Sequence, residues 1–477
     1  MGQEINVSAF KPSDFTQFHQ KLSQETRYLK DLIKQGQCSQ KAPVAGFEIE
    51  AWLIDDSMQA SPKNVSFLKN LNDPLAFPEL AKFNIELNSI PEQLTGTVFS
   101  SLHKNLSQTW EKACEHAQAL NNHILIIGTL PTLKPSAMNL KNMSDMNRYR
   151  VLNEQILNIR GKPIHLDIGG IEHLKFDHND VMLESATTSL QLHTQIPLAQ
   201  AHHFYNASII ASAAIVASCA NAPYLFGKNL WHESRIPLFE QAIEAGGYGG
   251  SARGPLKRVS FGSGYARASI MECFQENLEH FPILLPELFS DPIEKLEHLR
   301  LHNGTIWRWN RPLVGFDEDH TPHIRIEHRT PSAGPTIIDS IANAAFYYGL
   351  SKDLCDEIMA TGIHLDFAQA KDNFYQAAHH GLDSHIIWFD GEKHGLQKLL
   401  QTDLLARARK GLQSLAIANA DIDTYLGIIE QRITNKQTGS QWQRQFMQQP
   451  QATLQSMTQA YLAHQYSEIP VSQWELN

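Results

Sequence analysis

Three stretches of this sequence alternate charged or amide side chains with apolar ones, a pattern typical of β-strands with one polar face. Because side chains at positions i and i+2 of a strand point to the same side, each stretch directs its polar groups to one face of a sheet. Charged groups rarely face a covered sheet without a metal ion or a ligand to neutralise them. Together the three stretches predict an active-site surface. The alternating polar residues are Glu48 and Glu50, then Gln191 and His193, and finally Arg325, Glu327 and Arg329.

This set of side chains suits metal and phosphate chemistry. Carboxylate oxygens, with one amide or imidazole, are ligands for Mg²⁺ or Mn²⁺, and Mg²⁺ typically bridges carboxylates to the phosphates of a nucleotide. Neighbouring arginines would bind phosphate or carboxylate oxygens in pairs and stabilise the charge that develops during phosphoryl transfer. The sequence has neither a GxxxxGK[ST] loop nor an HRD motif, so an ATP site here is of another type.

Each stretch has a plainer interpretation when it is taken alone. The first fits the solvated face of an edge strand, with a prior of roughly one half, and the last fits a cross-strand ladder of ion pairs. His193 is one of 23 histidines, and a single histidine is more often a core residue with satisfied hydrogen bonds than a ligand. The conjunction of the three stretches favours the active-site interpretation.

Charge and composition narrow the class of protein. Forty Lys and Arg against fifty Asp and Glu give a net charge of −10, which argues against a nucleic-acid partner because phosphate binding needs a basic surface. The apolar fraction of 42% is that of a globular chain. The five cysteines are widely spaced and never form a CxxC pair, which indicates a reducing, cytoplasmic setting without disulfides or a zinc cluster.

The sequence also predicts no membrane association. Its N-terminus, MGQEINVSAFKPSD, lacks the apolar segment of a secretion signal. The longest apolar stretch, Ser208 to Cys219, is about half of the roughly 20 residues that a spanning helix needs. We expect it to form a buried helix.

The length of 477 residues exceeds that of one ordinary domain. Helical and strand patterns alternate over most of the chain, and the last part is amphipathic helix with a Gln-rich tail. We expect a helical lead-in over 1–40, a catalytic domain over 41–350, and a mainly helical region over 351–477 that packs on the catalytic domain.

Five motifs follow one another between Val44 and Leu350: GFEIEAWLID, IELNSIPEQLTG, TTSLQLHTQ, GTIWRWNRP and RIEHR. In these motifs and their order the chain resembles the glutamate–cysteine ligase superfamily of carboxylate–amine ligases. The resemblance implies an α+β fold of the glutamine synthetase type: a curved antiparallel sheet, or half-barrel, covered by helices and flanked by N- and C-terminal helical extensions. It also implies that ATP phosphorylates the γ-carboxylate of glutamate and that an amine then displaces the phosphate.

Twelve residues have expected roles, in three groups, and the resemblance implies these roles for all but Arg308 and Arg258. The expected metal ligands are Glu48, Glu50, Glu86, Glu92, Gln191 and Glu327. The expected catalytic residues, which contact the transferred phosphoryl group or neighbour it, are Arg329, Arg325 and Arg311. The expected nucleotide-binding residues are His193, Arg308 and Arg258. Glu184 is expected to matter less to turnover than Glu327.

A glycine-rich window, AGGYGGSARGPLKRVSFGSGY (245–265), is the other segment with an expected role. Its loop over 246–264 carries Arg253, Lys257 and Arg258, which would close over the nucleotide and exclude water from an acyl phosphate. A long connection without such a role is the alternative interpretation.

The resemblance makes ATP and Mg²⁺, or Mn²⁺, the expected cofactors, and a small amino acid and an amine the expected substrates. Glutamate and cysteine, and hence glutathione biosynthesis, are the default assignment. One departure affects specificity: relatives usually read TIWWD-x-RP, whereas Arg308 and Trp309 occupy the Trp and Asp positions here. A phosphotransferase of the guanidino kinase type is the alternative enzyme, and a non-catalytic metal-binding, nucleotide-binding or interaction protein is the alternative outside enzymes. A homodimer is the default assembly.

Overall fold

The computed structural model describes residues 4–7, 9–245 and 256–476. The described residues contain fifteen α-helices and fourteen strands. The helices are α1 (Pro12–Lys34), α2 (Asn64–Leu71), α3 (Val98–Gln118), α4 (Asn147–Arg160), α5 (Ala201–Ser218), α6 (Arg235–Ala242), α7 (Met271–His280), α8 (Glu297–Asn303), α9 (Ile337–Thr361), α10 (Phe367–His380), α11 (Leu396–Leu399), α12 (Leu405–Ser414), α13 (Asn419–Thr434), α14 (Gly439–Phe446) and α15 (Leu454–Tyr466). The strands are β1 (Val44–Ile54), β2 (Ala76–Pro78), β3 (Asn84–Asn88), β4 (Glu92–Gln93), β5 (His123–Leu125), β6 (Ile164–Gly169), β7 (His173–His178), β8 (Leu190–Ile196), β9 (Tyr224–Leu225), β10 (Lys228–Asn229), β11 (Asn310–Phe316), β12 (Pro322–His328), β13 (His385–Ile387) and β14 (Lys393–Gly395).

Eight strands form one curled antiparallel sheet, a half-barrel, which confirms the fold predicted from the sequence. The strand order is β11–β12–β8–β1–β3–β2, and β4 and β5 pair with the two ends of β1. The register places Glu327 opposite both Arg311 and His193. On β1, Glu48 lies opposite Gln191 of β8. The three polar stretches are therefore neighbouring strands, and their alternate residues meet on one face.

Helices α5 and α9 cover the other face of the sheet. Both are apolar almost all round and deeply buried, as expected for helices between a sheet and further helices. The hydroxyl of Tyr348 in α9 donates to the carbonyl oxygens of Gly46 and His193 at 3.0 and 3.2 Å, which ties β1 and β8 to the helix layer. In the part of the chain that the structure describes, no helix is both long and apolar enough to span a bilayer.

The terminal helices continue the same core. The Glu25 carboxylate of α1 contacts His298 Nδ1 at 2.5 Å and accepts from the Leu299 N–H at 2.7 Å, which fixes α8. Helices α12 and α13 pack on α9, and α10 packs on α5. The domain boundary expected at residue 350 lies inside α9, because this helix runs without a break to Thr361.

Candidate functional site

The polar face of the sheet lines a deep cavity. Its empty volume, open solvent at the mouth included, is about 1330 Å³. Side chains of α4 and of the segment around β11 supply apolar walls on two sides. The ionisable groups that line it are Glu48, Glu50, Glu79, Glu86, Glu184, His193 and Glu327, together with Arg148, Arg300, Arg311, Arg325 and Arg329.

Glu327 is the central acid of the cavity and is 1% exposed. Arg311 grips its carboxylate with two parallel hydrogen bonds, both of 2.8 Å, and Arg329 Nη1 donates a third at 3.0 Å. Burial acts to raise the pKa of Glu327, but the two guanidinium groups outweigh burial and hold that pKa well below its usual range. Glu327 is therefore ionised and fixed in place.

Glu48, His193 and Glu327 form a first candidate cation site. Ligand atoms of the three residues lie within 4.8 Å of one another. His193 Nε2 is 3.3 Å from Glu48 Oε1 and 3.9 Å from Glu327 Oε1. Burial lowers the pKa of His193 against the pull of Glu48, so its imidazole is neutral and has a ring nitrogen available as a ligand.

Glu50, Glu79 and Glu86 form a second candidate cation site, again with ligand atoms within 4.8 Å of one another. Burial raises the pKa of Glu50 to about 7, and the charge of Glu79 adds to this rise. Burial, followed by the charge of Glu48, raises the pKa of Glu86 well above its ordinary value. Crowded carboxylates of this kind are stabilised in their charged form by a divalent cation.

The donor chemistry fits a hard cation in both sites. Five of the six side chains offer carboxylate oxygens, which suit Mg²⁺ or Mn²⁺. Within the described chain, Glu86 Oε1 is buried and has no hydrogen-bond partner. A buried carboxylate oxygen without a partner is costly unless a cation binds it, which makes Glu86 the clearest single indication of a metal ligand.

Gln191 links the second site to Arg329. Its Nε2 donates to Glu50 Oε1 at 2.7 Å, and its Oε1 accepts from Arg329 Nη1 at 2.7 Å. Ser189 adds its N–H at 2.7 Å and its hydroxyl at 3.1 Å to the Glu50 carboxylate. The amide was expected to bind a metal, but in this structure both of its polar atoms instead orient the two charged side chains.

Arg325 also lines the cavity. Among the described residues it forms no ion pair. Its Nε is buried and, among the residues that the structure describes, donates to no partner. Burial lowers the pKa of this guanidinium, against the raising effect of Glu48 and Glu327. A half-buried arginine without a bound carboxylate is suited to an anionic ligand.

Three of the expected site residues do not line the cavity. Glu92 turns towards α3, where its carboxylate accepts from Ser101 Oγ at 2.8 Å and Asn105 Nδ2 at 3.2 Å. Arg258 is fully buried and donates to the Thr305 carbonyl at 2.9 Å and to the Pro282 carbonyl. Arg308 is equally buried and pairs with Glu276.

The expected lid falls mostly outside the described part of the chain. Residues 246–255, with Arg253, are not described, and the closing role of this loop stays a prediction. Lys257 is exposed at the edge of the described region.

Four further charged residues of the cavity carry no strong sequence signal. Glu79 lies in the connection between β2 and β3, and Arg148 starts α4. Arg300 projects from α8, and Glu184 sits in a short 3₁₀ turn. None of them shares the two-residue period that marks the strands, so only the folded arrangement brings them to the cavity.

The two acids Glu79 and Glu92 give a direct test of this arrangement. We expect Glu79→Gln to weaken Mn²⁺ binding at least tenfold, because it removes one ligand charge of the second site, whereas Glu92→Gln leaves binding unchanged. Isothermal titration with Mn²⁺ measures both. Weakened binding in Glu92→Gln with normal binding in Glu79→Gln would reverse the assignment.

A second test uses the pH dependence of stability in the metal-free protein. Burial, followed by the charge of Glu79, raises the pKa of Glu184 to about 8. An acid with a raised folded pKa stabilises the fold below its unfolded pKa, and this contribution is lost as pH rises through the folded value. The buried histidines His232, His302 and His328, whose pKa values burial lowers to about 3, 4 and 3, are uncharged above about pH 7 in both states.

We therefore expect the stability of Glu184→Gln, relative to wild type, to rise by about 1.4 kcal/mol between about pH 7 and pH 9. Denaturant unfolding of both proteins in chelator measures the difference. Parallel pH profiles of the two proteins would show that Glu184 is already ionised at neutral pH.

No family model and no curated protein matches the sequence. Solved structures, by contrast, match the fold of the chain. Glutamate–cysteine ligase from Francisella tularensis, in complex with AMP, superimposes with a TM-score of 0.57 at 12% sequence identity, over 92% of this chain and 91% of that chain.

Two further solved structures are similar at lower scores. A bifunctional glutathione synthetase from Pasteurella multocida matches with a TM-score of 0.47 at 12% identity, over 93% of this chain and 55% of that chain. The complex between the prokaryotic ubiquitin-like protein Pup and its ligase PafA matches with a TM-score of 0.37 at 10% identity, over 90% of this chain and 74% of that chain. The first match covers nearly the whole of both chains, and the sheet of the protein is a half-barrel. The protein therefore has the fold of glutamate–cysteine ligase, a carboxylate–amine ligase.

Proposed function

We propose that the protein is an ATP- and Mg²⁺-dependent ligase that joins a carboxylate to an amine through an acyl phosphate. One observation carries the proposal: two carboxylate-rich groups and the Arg329 guanidinium share one wall of a large cavity, in a chain with the fold of a glutamate–cysteine ligase. Such a wall suits the triphosphate of ATP beside a second, acidic substrate.

Glu48, His193 and Glu327 would hold one Mg²⁺ or Mn²⁺, and Glu50, Glu79 and Glu86 a second. When bound, such ions neutralise the phosphates of ATP and the charge that develops during phosphoryl transfer. The protein supplies the rigidity of these groups: Arg311 fixes Glu327, and Ser189 with Gln191 fixes Glu50.

Arg329 is the residue that we assign to the transferred phosphoryl group. Its guanidinium is held at one nitrogen by Glu327 and Gln191, while its Nε is buried and donates to no partner within the described residues. The group is therefore oriented and still has a donor for a phosphoryl oxygen. Arg311, whose bidentate grip on Glu327 occupies two of its nitrogens, acts mainly as a positioning residue.

In the proposed reaction, each bond that forms is matched by one that breaks. An oxygen of the substrate carboxylate attacks the γ-phosphorus of ATP, the bond to the β-phosphate oxygen breaks, and ADP leaves. The amine nitrogen then attacks the acyl carbon, the C–O bond to phosphate breaks, and the amine proton goes to solvent or to phosphate. Arg325, as an uncommitted cation, is suited to a carboxylate of the acidic substrate, for which glutamate is the default, with cysteine as the amine.

The location, partners and assembly of the protein are also part of the proposal. We infer a cytoplasmic enzyme acting on small molecules, without a nucleic-acid or membrane partner, and a homodimer as its default assembly. The net charge of −10 and the five free cysteines support this inference. With glutamate and cysteine as substrates, the enzyme would belong to glutathione biosynthesis.

The test is ADP release by the purified protein with ATP and Mg²⁺, across single amino acids and across glutamate paired with different amines, with the mass of each product determined. We expect ADP release that requires both partners and a condensed product one water lighter than their sum. ADP with a phosphorylated single substrate would establish the phosphotransferase alternative instead. Failure to bind ATP in the presence of Mg²⁺ would refute the proposal.

A further inference from the structure

The segment that follows β12 braces both functional parts of the cavity wall. It begins at Arg329, the phosphoryl-binding residue proposed above. Two residues later, the Pro331 carbonyl accepts from the Leu190 N–H at 3.1 Å, and Ser332 pairs with Ser189. Ser189 in turn holds the Glu50 carboxylate through its N–H and its hydroxyl. The backbone of residues 329–332 therefore positions both Arg329 and Ser189, which holds the Glu50 carboxylate.

A buried ion pair outside the cavity holds this segment. Arg235, 2% exposed at the start of α6, donates from Nη1 to the Arg329 carbonyl at 3.2 Å and from Nη2 to the Thr330 carbonyl at 2.5 Å. Its Nε donates to Glu233 Oε1 at 3.2 Å. Glu233, with no exposed surface, accepts from Ser332 Oγ at 2.9 and 2.7 Å. The pair thus binds three of the four residues from 329 to 332.

The main chain of Arg329 is held on both sides. Its N–H donates to the Trp309 carbonyl at 2.9 Å, and its carbonyl accepts from Arg235. The Arg235 guanidinium also lies over the Trp309 ring at 5.5 Å. With N–H and C=O both fixed, the direction in which the Arg329 side chain leaves the backbone is fixed as well.

Packing leaves this segment little room to move. A Cβ atom at Gly128 would lie 2.2 Å from Ser332 Oγ, so only glycine permits the present position of the serine. Burying two charges is expensive unless every donor and acceptor is used. Here polar atoms of both Glu233 and Arg235 bind the backbone and the Ser332 hydroxyl of residues 329–332. These hydrogen bonds offset the cost of burial and hold the segment rigid.

We propose that Glu233 and Arg235 are a positioning pair that sets the Arg329 guanidinium and the Glu50 carboxylate in register with each other. Neither residue lines the cavity, so the pair acts through the backbone of residues 329–332. Only the expected effect on kcat rests on the proposed function. The effect of the pair on Glu50 is measured by metal binding, which needs no turnover.

The experiment compares Arg235→Lys with a matched control, Arg432→Lys. Arg432 is 1% exposed and forms an equally buried pair with Asp339 at 2.7 Å, remote from the cavity lining. Lysine keeps the charge but, as a single ammonium, cannot reproduce the fork of hydrogen bonds to Glu233 and two carbonyl groups. We expect both variants to lose thermal stability to a similar degree.

The readouts that separate the two variants are metal affinity and kcat. We expect Arg235→Lys to weaken Mn²⁺ binding threefold to tenfold and to lower kcat about a hundredfold, with the KM for ATP changed less than about threefold. Arg432→Lys should keep both values of the wild type. Ser332→Ala, which removes a single hydroxyl, should lower kcat about fivefold with a smaller loss of stability than Arg235→Lys, and it serves if Arg235→Lys fails to fold.

Three results would overturn the inference. They are equal losses of kcat in Arg235→Lys and Arg432→Lys, normal Mn²⁺ binding in Arg235→Lys, and a raised KM with unchanged kcat, which would place Arg235 in contact with substrate. If wild type binds Mn²⁺ but turns over no ATP with any substrate pair, the proposed function fails, and the Mn²⁺ comparison still decides the positioning role.

Discussion

Glu327→Gln is expected to lower ATP turnover at least about a thousandfold, equivalent to ~4 kcal/mol of transition-state stabilisation. Glutamine preserves the shape of the side chain but removes the charge that contributes to the first cation site. It also removes the common partner of Arg311 and Arg329, so the second guanidinium loses its orientation. Steady-state ADP release, normalised to the folded fraction, measures the loss.

Two control variants make this result specific. Glu276→Gln removes a carboxylate that also pairs with an arginine, Arg308, but lies outside the cavity, and we expect turnover near that of wild type. Glu184→Gln changes an acid that lines the cavity but belongs to neither candidate cation site, and we expect a smaller loss than for Glu327→Gln. Wild-type turnover in Glu327→Gln would refute the assignment of the site.

Arg329→Ala is expected to have the second large effect, a fall in kcat of about a thousandfold with nucleotide affinity changed less than about tenfold. Arginines that meet the transferred phosphoryl group act mainly in the transition state. Glu327 keeps its bidentate partner Arg311 in this variant, so the first cation site should persist. Pre-steady-state kinetics together with nucleotide titration separate the two quantities.

Arg308→Lys is the matched control for this prediction. Arg308 was expected to bind the nucleotide, yet it is buried outside the cavity against Glu276. Lysine preserves its charge, so we expect nearly normal turnover. Addition of millimolar guanidinium ion should restore part of the activity of Arg329→Ala. A loss in Arg308→Lys as large as that in Arg329→Ala would contradict the geometry.

The strands and their polar faces could be predicted from the sequence because a period of two residues determines both. The predicted strand over Val44–Ile54 coincides with β1. The alternation in β8 and β12 correctly brought His193 and Glu327 to the same face. The fold itself followed from the order of the motifs, which no single strand specifies.

The parts that could not be predicted depend on where the chain goes between strands. Glu92 is expected, with Glu86, to be one of the paired acids of the second motif, but after Pro91 the chain pairs with the start of β1 and turns the Glu92 carboxylate towards α3. Glu79, in an irregular connection, instead brings a carboxylate to the second candidate cation site. For Arg258 and Arg308 the sequence shows the charge, whereas the partners that bury them are distant in the chain.

The boundary at residue 350 illustrates the same limit. The sequence pattern changes there from apolar to amphipathic, because α9 is almost entirely buried as far as Leu350 and becomes partly exposed between Lys352 and Thr361. A change of environment along one helix resembles a change of domain when only hydrophobicity is visible.

The central claim is that a substrate carboxylate is phosphorylated, and oxygen isotope transfer tests it most directly. The acidic substrate identified in the product screen, labelled with ¹⁸O in its carboxylate, is incubated with ATP, Mg²⁺ and the amine, and the released phosphate is analysed by mass. The account predicts one ¹⁸O atom in each phosphate, because the acyl carbon loses its bridging oxygen when the amine attacks. Unlabelled phosphate, formed together with the amide, would contradict the acyl-phosphate mechanism.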